Sequence, residues 1–317
     1  MAENSPDMGG KIGYVLLGAT KAEGGTRSVS YRPGGETDLP FTGMKAWEGS
    51  VPLVAFEICD DPGYWSPIVT SYTGDIVSDT PEWARTAEKQ YGADLVRLYL
   101  TSTKRRGFDD FPSITKVMEG VLSGTGLPLV VEGSNEPAID SEVFQRCGEA
   151  GQGERLLLGT AEAGRYRSVA AAAMAYNHSV VAQSPIDINL AKQLNILLRE
   201  IGLKADHMMI DPYTGSLGYG FEYSYSVMER IRSAALKGDT DLAMPMITSA
   251  TDSLSVKEVR DAGPAVRDDI AVAWEFYAAL SSAVAGSSIV CVRHPKTVPL
   301  LKQAFRELWA GKMPGEA

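Results

Sequence analysis

The residues best suited to chemistry stand where short apolar runs stop. The richest cluster is Asp211-Pro-Tyr-Thr-Gly-Ser-Leu-Gly-Tyr-Gly-Phe-Glu222, between the run His207–Ile210 and a strongly patterned helix over 223–237. Pro212 biases Asp211 towards extended backbone, so a strand should end there. Gly215, Gly218 and Gly220 admit positive φ and close backbone approach, while Tyr213 and Tyr219 add aromatic surface. The loop is either a binding surface for a broad, flat ligand or an ordinary strand-to-helix turn. Other run ends carry Glu57 with Asp60 and Asp61, Thr101 and Ser102, Glu132 with Ser134 and Asn135, Thr160 with Glu162, Gln183 and Ser184, Thr248 and Ser249, and Arg293 with His294. Such an acidic, amide-rich set could supply a carboxylate pair for acid–base work, Glu57 with Asp211 or Glu132, although spacing alone selects no pair.

Several chemistries fail on residue type. The three histidines, His178, His207 and His294, are scattered and form no His-x-His; His178 and His207 fall near strand starts and read as structural. No run ends in the lysine that a Schiff base needs. Gly24-Gly-Thr26 lacks the Gly-Lys-Ser/Thr core of a phosphate loop. Cys59, Cys147 and Cys291 are too dispersed for a zinc site or an iron–sulfur cluster.

The positioning elements follow from the spacing. Apolar runs occur at 53–58, 95–100, 127–131, 156–158, 179–182, 207–210, 242–247 and 288–292, continuous rather than alternating, as in buried parallel strands. Helical segments with apolar residues three and four apart separate them, for example Leu190, Leu194, Leu197 and Ile201. Thr80-Pro81 and Ser184-Pro185 predict N-caps followed by proline, with Asp187 reaching back to the second cap. Gly92, Gly124, Gly151, Gly202, Gly238 and Gly286 mark helix ends. Eight strand–helix units predict an α/β fold, a TIM (β/α)8 barrel over 52–317, with a doubly wound open sheet as the alternative. Residues 1–51 are predicted to be an N-terminal extension covering one end of the barrel, with a strand over 12–17 and a hairpin whose arms, 29–32 and 37–41, flank Pro33-Gly-Gly35.

A formal charge of −10, from 30 Lys+Arg against 40 Asp+Glu, argues against a nucleic-acid or anionic-membrane surface. The acidic start Met1–Gly10 is unlike a signal peptide, no run reads as a membrane span, and an odd number of dispersed cysteines fits reduced thiols in a cytoplasmic protein.

Four long motifs carry a family resemblance: Leu16-Leu-Gly-Ala-Thr-Lys-Ala-Glu-Gly-Gly-Thr-Arg-Ser28, Gly34-Gly-Glu-Thr-Asp-Leu-Pro-Phe41, Ser184-Pro-Ile-Asp-Ile-Asn-Leu-Ala-Lys-Gln-Leu-Asn-Ile196 and the stretch from Asp211 to Arg232. From about Leu16 to Leu308 the chain resembles the small subunit of the corrinoid iron–sulfur protein, the delta subunit of the acetyl-CoA decarbonylase/synthase complex. The resemblance implies a TIM barrel paired with a large subunit that carries the iron–sulfur cluster and mainly holds the corrinoid (cobalamin). The barrel would help enclose that corrinoid while a methyl group passes from a methyl-tetrahydropterin towards acetyl-CoA synthesis. A methyltransferase and acetyl-CoA synthase would be transient partners, and the barrel would lack a catalytic constellation and a cluster of its own. Asn135, Thr160, Asp211, Gly215, Gly218 and Tyr219 are the expected corrinoid-facing residues. Thr160 and Gln183 depart from the family pattern, in which Asn and Arg are usual, so a related corrinoid system is a further expectation. A pterin-dependent methyltransferase barrel and a purely structural scaffold are the competing readings.

Overall fold

The computed structural model describes residues 9–39, 49–103, 110–215, 217–218 and 220–309. Eight parallel strands close into one barrel in chain order. They are β1 (Leu53–Cys59), β2 (Leu95–Tyr99), β3 (Leu129–Glu132), β4 (Leu157–Ala161), β5 (Ser179–Gln183), β6 (Met208–Asp211), β7 (Met246–Ser249) and β8 (Ser287–Val292). β8 pairs back onto β1, with Ala55 opposite Cys291, which excludes the open sheet. The outer ring comprises α1 (Thr80–Thr86), α2 (Phe111–Gly124), α3 (Pro137–Ala150), α4 (Tyr166–Tyr176), α5 (Ile188–Glu200), α6 (Phe221–Leu236), α7 (Pro264–Val284) and α8 (Thr297–Trp309). Among the described residues no helix is long and apolar enough to cross a membrane.

The strands read as continuous apolar runs because both faces are covered. Val54, Phe56 and Ile58 face the helices, whereas Ala55, Val130, Val181, Ile247 and Cys291 fill the barrel interior. Several element boundaries differ from the sequence expectation. β7 begins at Met246 rather than Leu242, because the preceding residues serve other partners: Ala243 O accepts from Gly13 N at 2.7 Å and Met244 O from Arg232 Nη1 at 2.9 Å. The N-cap of α5 is Asp187, not Ser184, its carboxylate accepting from Asn189 N and Leu190 N. Likewise Asp79, not Thr80, caps α1 by accepting from Glu82 N.

The N-terminal segment closes the amino end of the barrel. It pairs antiparallel at Tyr14 with Gly34 and at Leu17 with Tyr31, with a parallel bridge between Thr20 and Arg27. The turn therefore falls at Thr20–Gly24, around a short 3-10 segment Lys21–Glu23, instead of at Pro33-Gly-Gly35. Gly34 lies in the crossing itself: a Cβ there would come 2.0 Å from Gly13 O, so only glycine permits the approach. Phe41, at the far end of the expected second arm, lies outside the described residues. Val15 and Leu17 enter the interior cluster with Leu95, Val130 and Leu157.

Arg27 fastens this segment to the barrel. Its guanidinium is buried, pairs with Glu154 at 2.8 Å and donates to Thr125 O and Leu122 O, each at 2.7 Å. Removing one member of such a pair strands a buried charge. Arg27→Ala is expected to lose about 3–5 kcal/mol of unfolding free energy, read from urea denaturation. A loss below about 1 kcal/mol would be that of an exposed pair and would contradict this role.

Candidate active site at the barrel mouth

Side chains alternate across a strand, so inward positions recur every second residue. Following the interior core towards the carboxyl ends gives Glu57 after Ala55, Arg97 after Leu95, Glu132 after Val130, Gln183 after Val181, Asp211 after Met209, Ser249 after Ile247 and Arg293 after Cys291. The top layer of the barrel is thus polar, and it lines a mouth of about 250 Å³.

Arg97 organises this layer. One guanidinium nitrogen donates to Glu57 Oε2 at 2.5 Å and to Ser249 Oγ at 3.0 Å, and the other pairs with Glu132 Oε2. Glu57 Oε1 accepts from Arg293 Nε at 2.9 Å and also from its Nη2. The chain Glu132–Arg97–Glu57–Arg293 therefore joins two carboxylates to two guanidiniums. Burial alone would lower the Arg97 pKa, but the charges of Glu132 and Glu57 outweigh it and hold the group charged. Burial pushes the Glu132 carboxyl up to about 7, against the pull of Arg97. Arg293 also stacks over the Trp65 ring at 4.3 Å. Glu57 and Glu132, one of the carboxylate pairs considered for acid–base work, are thus bridged by Arg97, a residue the run-end inspection passes over.

The remaining candidates separate into groups. Asn135 and Thr160 come together through Arg165, whose Nη2 donates to Asn135 Oδ1 at 2.5 Å and Thr160 Oγ1 at 2.7 Å while Nη1 pairs with Asp140 at 2.9 Å. Asp211, its carboxyl raised by burial, accepts from Gln183 Nε2 at 2.7 Å and Tyr213 N at 2.8 Å. Gly215 lies against the Tyr213 ring, 2.6 Å from where its Cβ would stand, so its glycine serves an internal contact. Gly218, at φ +87°, faces Val256 instead of the mouth. Tyr219 lies outside the described residues. Asp60 accepts from Ser102 N at 3.0 Å, and Asp61 caps a short turn through Gly63 N at 2.9 Å, so both are structural.

His294 turns away from the mouth towards Asp268, at 2.7 Å, so Arg293 alone of the expected basic pair reaches the site. At the opposite end His178 is buried, takes a hydrogen bond from Leu156 N at 3.2 Å and lies 2.9 Å from Gly148 O, a structural role. The three cysteines are buried thiols, and burial pushes Cys59 and Cys291 up to about 12. Among the described residues no three His, Cys, Asp or Glu side chains converge in a group able to hold a metal. A second, larger cavity of about 720 Å³ opens beside the mouth, between the loops after β4 and β5 and the face of α5.

This architecture is that of a TIM barrel, and dihydropteroate synthases of known structure share it. The enzyme from Xanthomonas albilineans in complex with 7,8-dihydropteroate superposes with a TM-score of 0.60, at 19% identity, covering 82% of this chain and 94% of that one. The one from Coxiella burnetii in complex with pteroic acid gives 0.56 at 16% identity, covering 83% and 94%. At such identities the likeness defines the fold class alone. The sequence is more specific. Residues 25–281 match the family described as CO dehydrogenase/acetyl-CoA synthase delta subunit, and the chain belongs to that family. It is 36% identical to the acetyl-CoA decarbonylase/synthase complex subunit delta of Archaeoglobus fulgidus, over 96% of this chain and 70% of the relative. It is also 36% identical to that of Methanothermobacter thermautotrophicus, over 93% and 75%.

Glu275, on α7, positions Arg293 from behind: its carboxylate accepts from Arg293 N at 2.6 Å and His294 N at 3.0 Å. Burial pushes this carboxyl from 4.5 up to about 7. A folded value above the unfolded one contributes stability that is full below the unfolded value and is lost as pH rises through the folded value. Glu275→Gln lacks that titration. Its unfolding free energy relative to the native chain is therefore expected to shift in the variant's favour between about pH 4.5 and about pH 7. A difference that stays constant across this range would show that Glu275 does not titrate as its burial requires.

Proposed function

We propose that this chain is the barrel subunit of a corrinoid methyl carrier within an acetyl-CoA decarbonylase/synthase complex, and that its mouth covers one side of a corrinoid held mainly by a partner subunit. Membership of the delta-subunit family carries the reading. The mouth supports it, because its donor set fits the group. Corrin rings are fringed with neutral carboxamides, and the rim offers neutral amides and hydroxyls, Asn135, Gln183, Thr214, Ser249 and Thr251, with the Tyr64 and Tyr213 rings beside them. Glu57 and Glu132 beneath the rim are paired through Arg97 and Arg293, so a neutral ring can approach without stranding these ions, with the Asp211 and Asp252 carboxyls also in the lining. When bound, the corrinoid supplies the cobalt that accepts and donates the methyl group. The residues of this chain orient the ring edge and exclude water from that side.

The cobalt-binding and iron–sulfur domains are assigned to the partner, since the cysteines here are dispersed, buried thiols. The methyl donor is read as a methyl-tetrahydropterin, and the methyltransferase and acetyl-CoA synthase as transient neighbours. Of the residues proposed to face the corrinoid, Asn135, Thr160 and Asp211 lie in the mouth or the Arg165 cluster beneath it. Gly215 acts through Tyr213, whereas Gly218 stands apart, so Tyr213→Ala is a more direct probe than a change at Gly218.

The test is co-expression with the neighbouring genes, followed by purification on this chain. The expected product is a stable heterodimer with the visible absorption of a corrinoid, joined by an interface of more than roughly 2,000 Å². Tyr213→Ala is expected to assemble but to lower methylation of the reduced complex by about tenfold, equivalent to about 1.4 kcal/mol. A chain that elutes alone at micromolar concentration, or a complex without corrinoid, would overturn the assignment.

A further inference from the structure

We propose that the amino end of the barrel carries a ligand site of its own, for a small hydroxylated oxyanion, a phosphate ester or a carboxylate. The site lies at the opposite end from the mouth and stands independently of the corrinoid reading. A cavity of about 420 Å³ opens there, the size of a small-molecule site. Part of its lining comes from the N-terminal segment, through Tyr14, Leu16 and Arg32. The rest comes from the starts of three consecutive strands: Arg155 just before β4, Asn177 before β5, and Asp206 with His207 before β6.

Positive charge without a counter-ion points to the anion. The Arg32 guanidinium stacks on the Tyr14 ring at 3.9 Å, and Lys11 Nζ lies 5.7 Å from the centre of the same ring. Among the described residues neither cation pairs with an acid. Two like charges gathered on one ring repel each other, and a bound anion removes that repulsion. The ring itself is fixed, because Gly35 lies against it: a Cβ there would come 2.2 Å from the Tyr14 hydroxyl oxygen. Stacking sets the guanidinium plane and leaves its edge free for the two-pronged contact that carboxylates and phosphates accept. Arg155 spends Nη1 on Glu23 Oε1 at 2.7 Å, which leaves Nη2 and Nε available. Its backbone is held at φ 51° and anchored by Gly18 N, which donates to Arg155 O at 3.1 Å.

The remaining polar groups ask for donors. His207 Nδ1 lies 2.9 Å from His178 O, and a carbonyl only accepts, so Nδ1 carries the proton and Nε2 of the neutral ring is an acceptor. Asp206 adds an exposed carboxylate to the lining, without a partner among the described residues. Ligand hydroxyls suit both acceptors, and the Asn177 amide can donate to the oxyanion or accept from a hydroxyl. Asp206 also repels a second negative charge, so the anion belongs at the arginine end and the hydroxyls at the other. Leu16, 45% exposed, offers apolar surface to the carbon frame. Because the lining joins the N-terminal segment to three strand starts, a bound ligand clamps that segment onto the barrel.

The experiment titrates the full chain by calorimetry in about 150 mM sodium chloride, where non-specific charge attraction is screened. The probes are D-ribose 5-phosphate, D-ribonate and D-ribose. The first two join hydroxyls to a tetrahedral and a planar oxyanion, and the third has the hydroxyls alone. Saturable binding of an anionic probe at one site per chain is expected, the tighter of the two identifying the anion, with no binding of ribose at the same concentration. The bound anion is also expected to raise the urea midpoint as its concentration rises, since it binds the folded chain alone. Arg32→Gln, at an exposed position, is expected to weaken binding by about tenfold or more and to show no such rise at the same concentrations. If Arg32→Gln does not fold, Arg155→Gln takes its place. Absence of binding by both anions, equal binding of ribose, or native affinity in the folded glutamine variant would each overturn the proposal.

Discussion

The structure depends on one ion chain, Glu132–Arg97–Glu57–Arg293, in the last inward layer of the barrel. A barrel of this width must fill its interior with side chains, and strand alternation leaves no choice over which positions point inward. Charges placed there are largely out of water and are tolerable only when paired. Arg97 meets that condition by reaching Glu57 on the neighbouring strand β1 and Glu132 on β3, while Glu57 is shared with Arg293 at the end of β8. The closure that brings β8 beside β1 is therefore the closure that completes the ion chain.

The surrounding architecture supports this arrangement. Val15 and Leu17 seal the amino end and keep the interior dry. Glu275 holds the backbone of Arg293 and His294 from the helix layer, and the Trp65 ring covers the Arg293 guanidinium. Because Glu57 and Glu132 are paired with Arg97 and Arg293, the rim presents amides, hydroxyls and aromatic rings beside the Asp211 and Asp252 carboxyls. That surface suits a neutral ligand held against the barrel better than it suits proton transfer by a free carboxylate. Beside it, the groove along α5 is lined by the amides of Asn135, Gln183 and Gln193, and among the described residues the Ser184 hydroxyl has no hydrogen-bond partner.

The fold was legible in the sequence because parallel strands buried on both faces read as apolar runs, and eight such runs alternated with patterned helices. The boundaries that were misread have local causes. Ser184-Pro185 looks like a cap, but Asp187 has the longer reach and the better acceptor, so the helix starts later. Pro33-Gly-Gly35 looks like a turn, but its glycines serve a close backbone crossing with Gly13. The site was legible in part. Asn135, Thr160 and Asp211 stand at strand ends, where barrel sites form. Arg97 was missed because a charge inside an apolar run suggests neither a run end nor a motif. The signal was present, since Arg97 is two residues beyond inward-facing Leu95. Arg165 was missed because the cluster it builds joins Asn135 to Thr160 across two strands, a contact that sequence spacing does not encode. The loop at Asp211 was read for its glycines, whereas its Tyr213 is the residue that reaches both cavities.

The claim that Arg97 and Glu132 act as one buried unit is tested most directly by a double-mutant cycle. The unfolding free energies of the native chain, Arg97→Met, Glu132→Gln and the double variant would be measured in urea at neutral pH. A paired interior ion makes each single change costly for the same reason, so the double variant should cost less than the sum of the singles. The expected coupling is about 1–3 kcal/mol, as for residues in direct contact within one network. Additivity to within about 0.5 kcal/mol would mean that the two side chains are energetically independent, and the account of the mouth as a self-neutralised layer would be wrong.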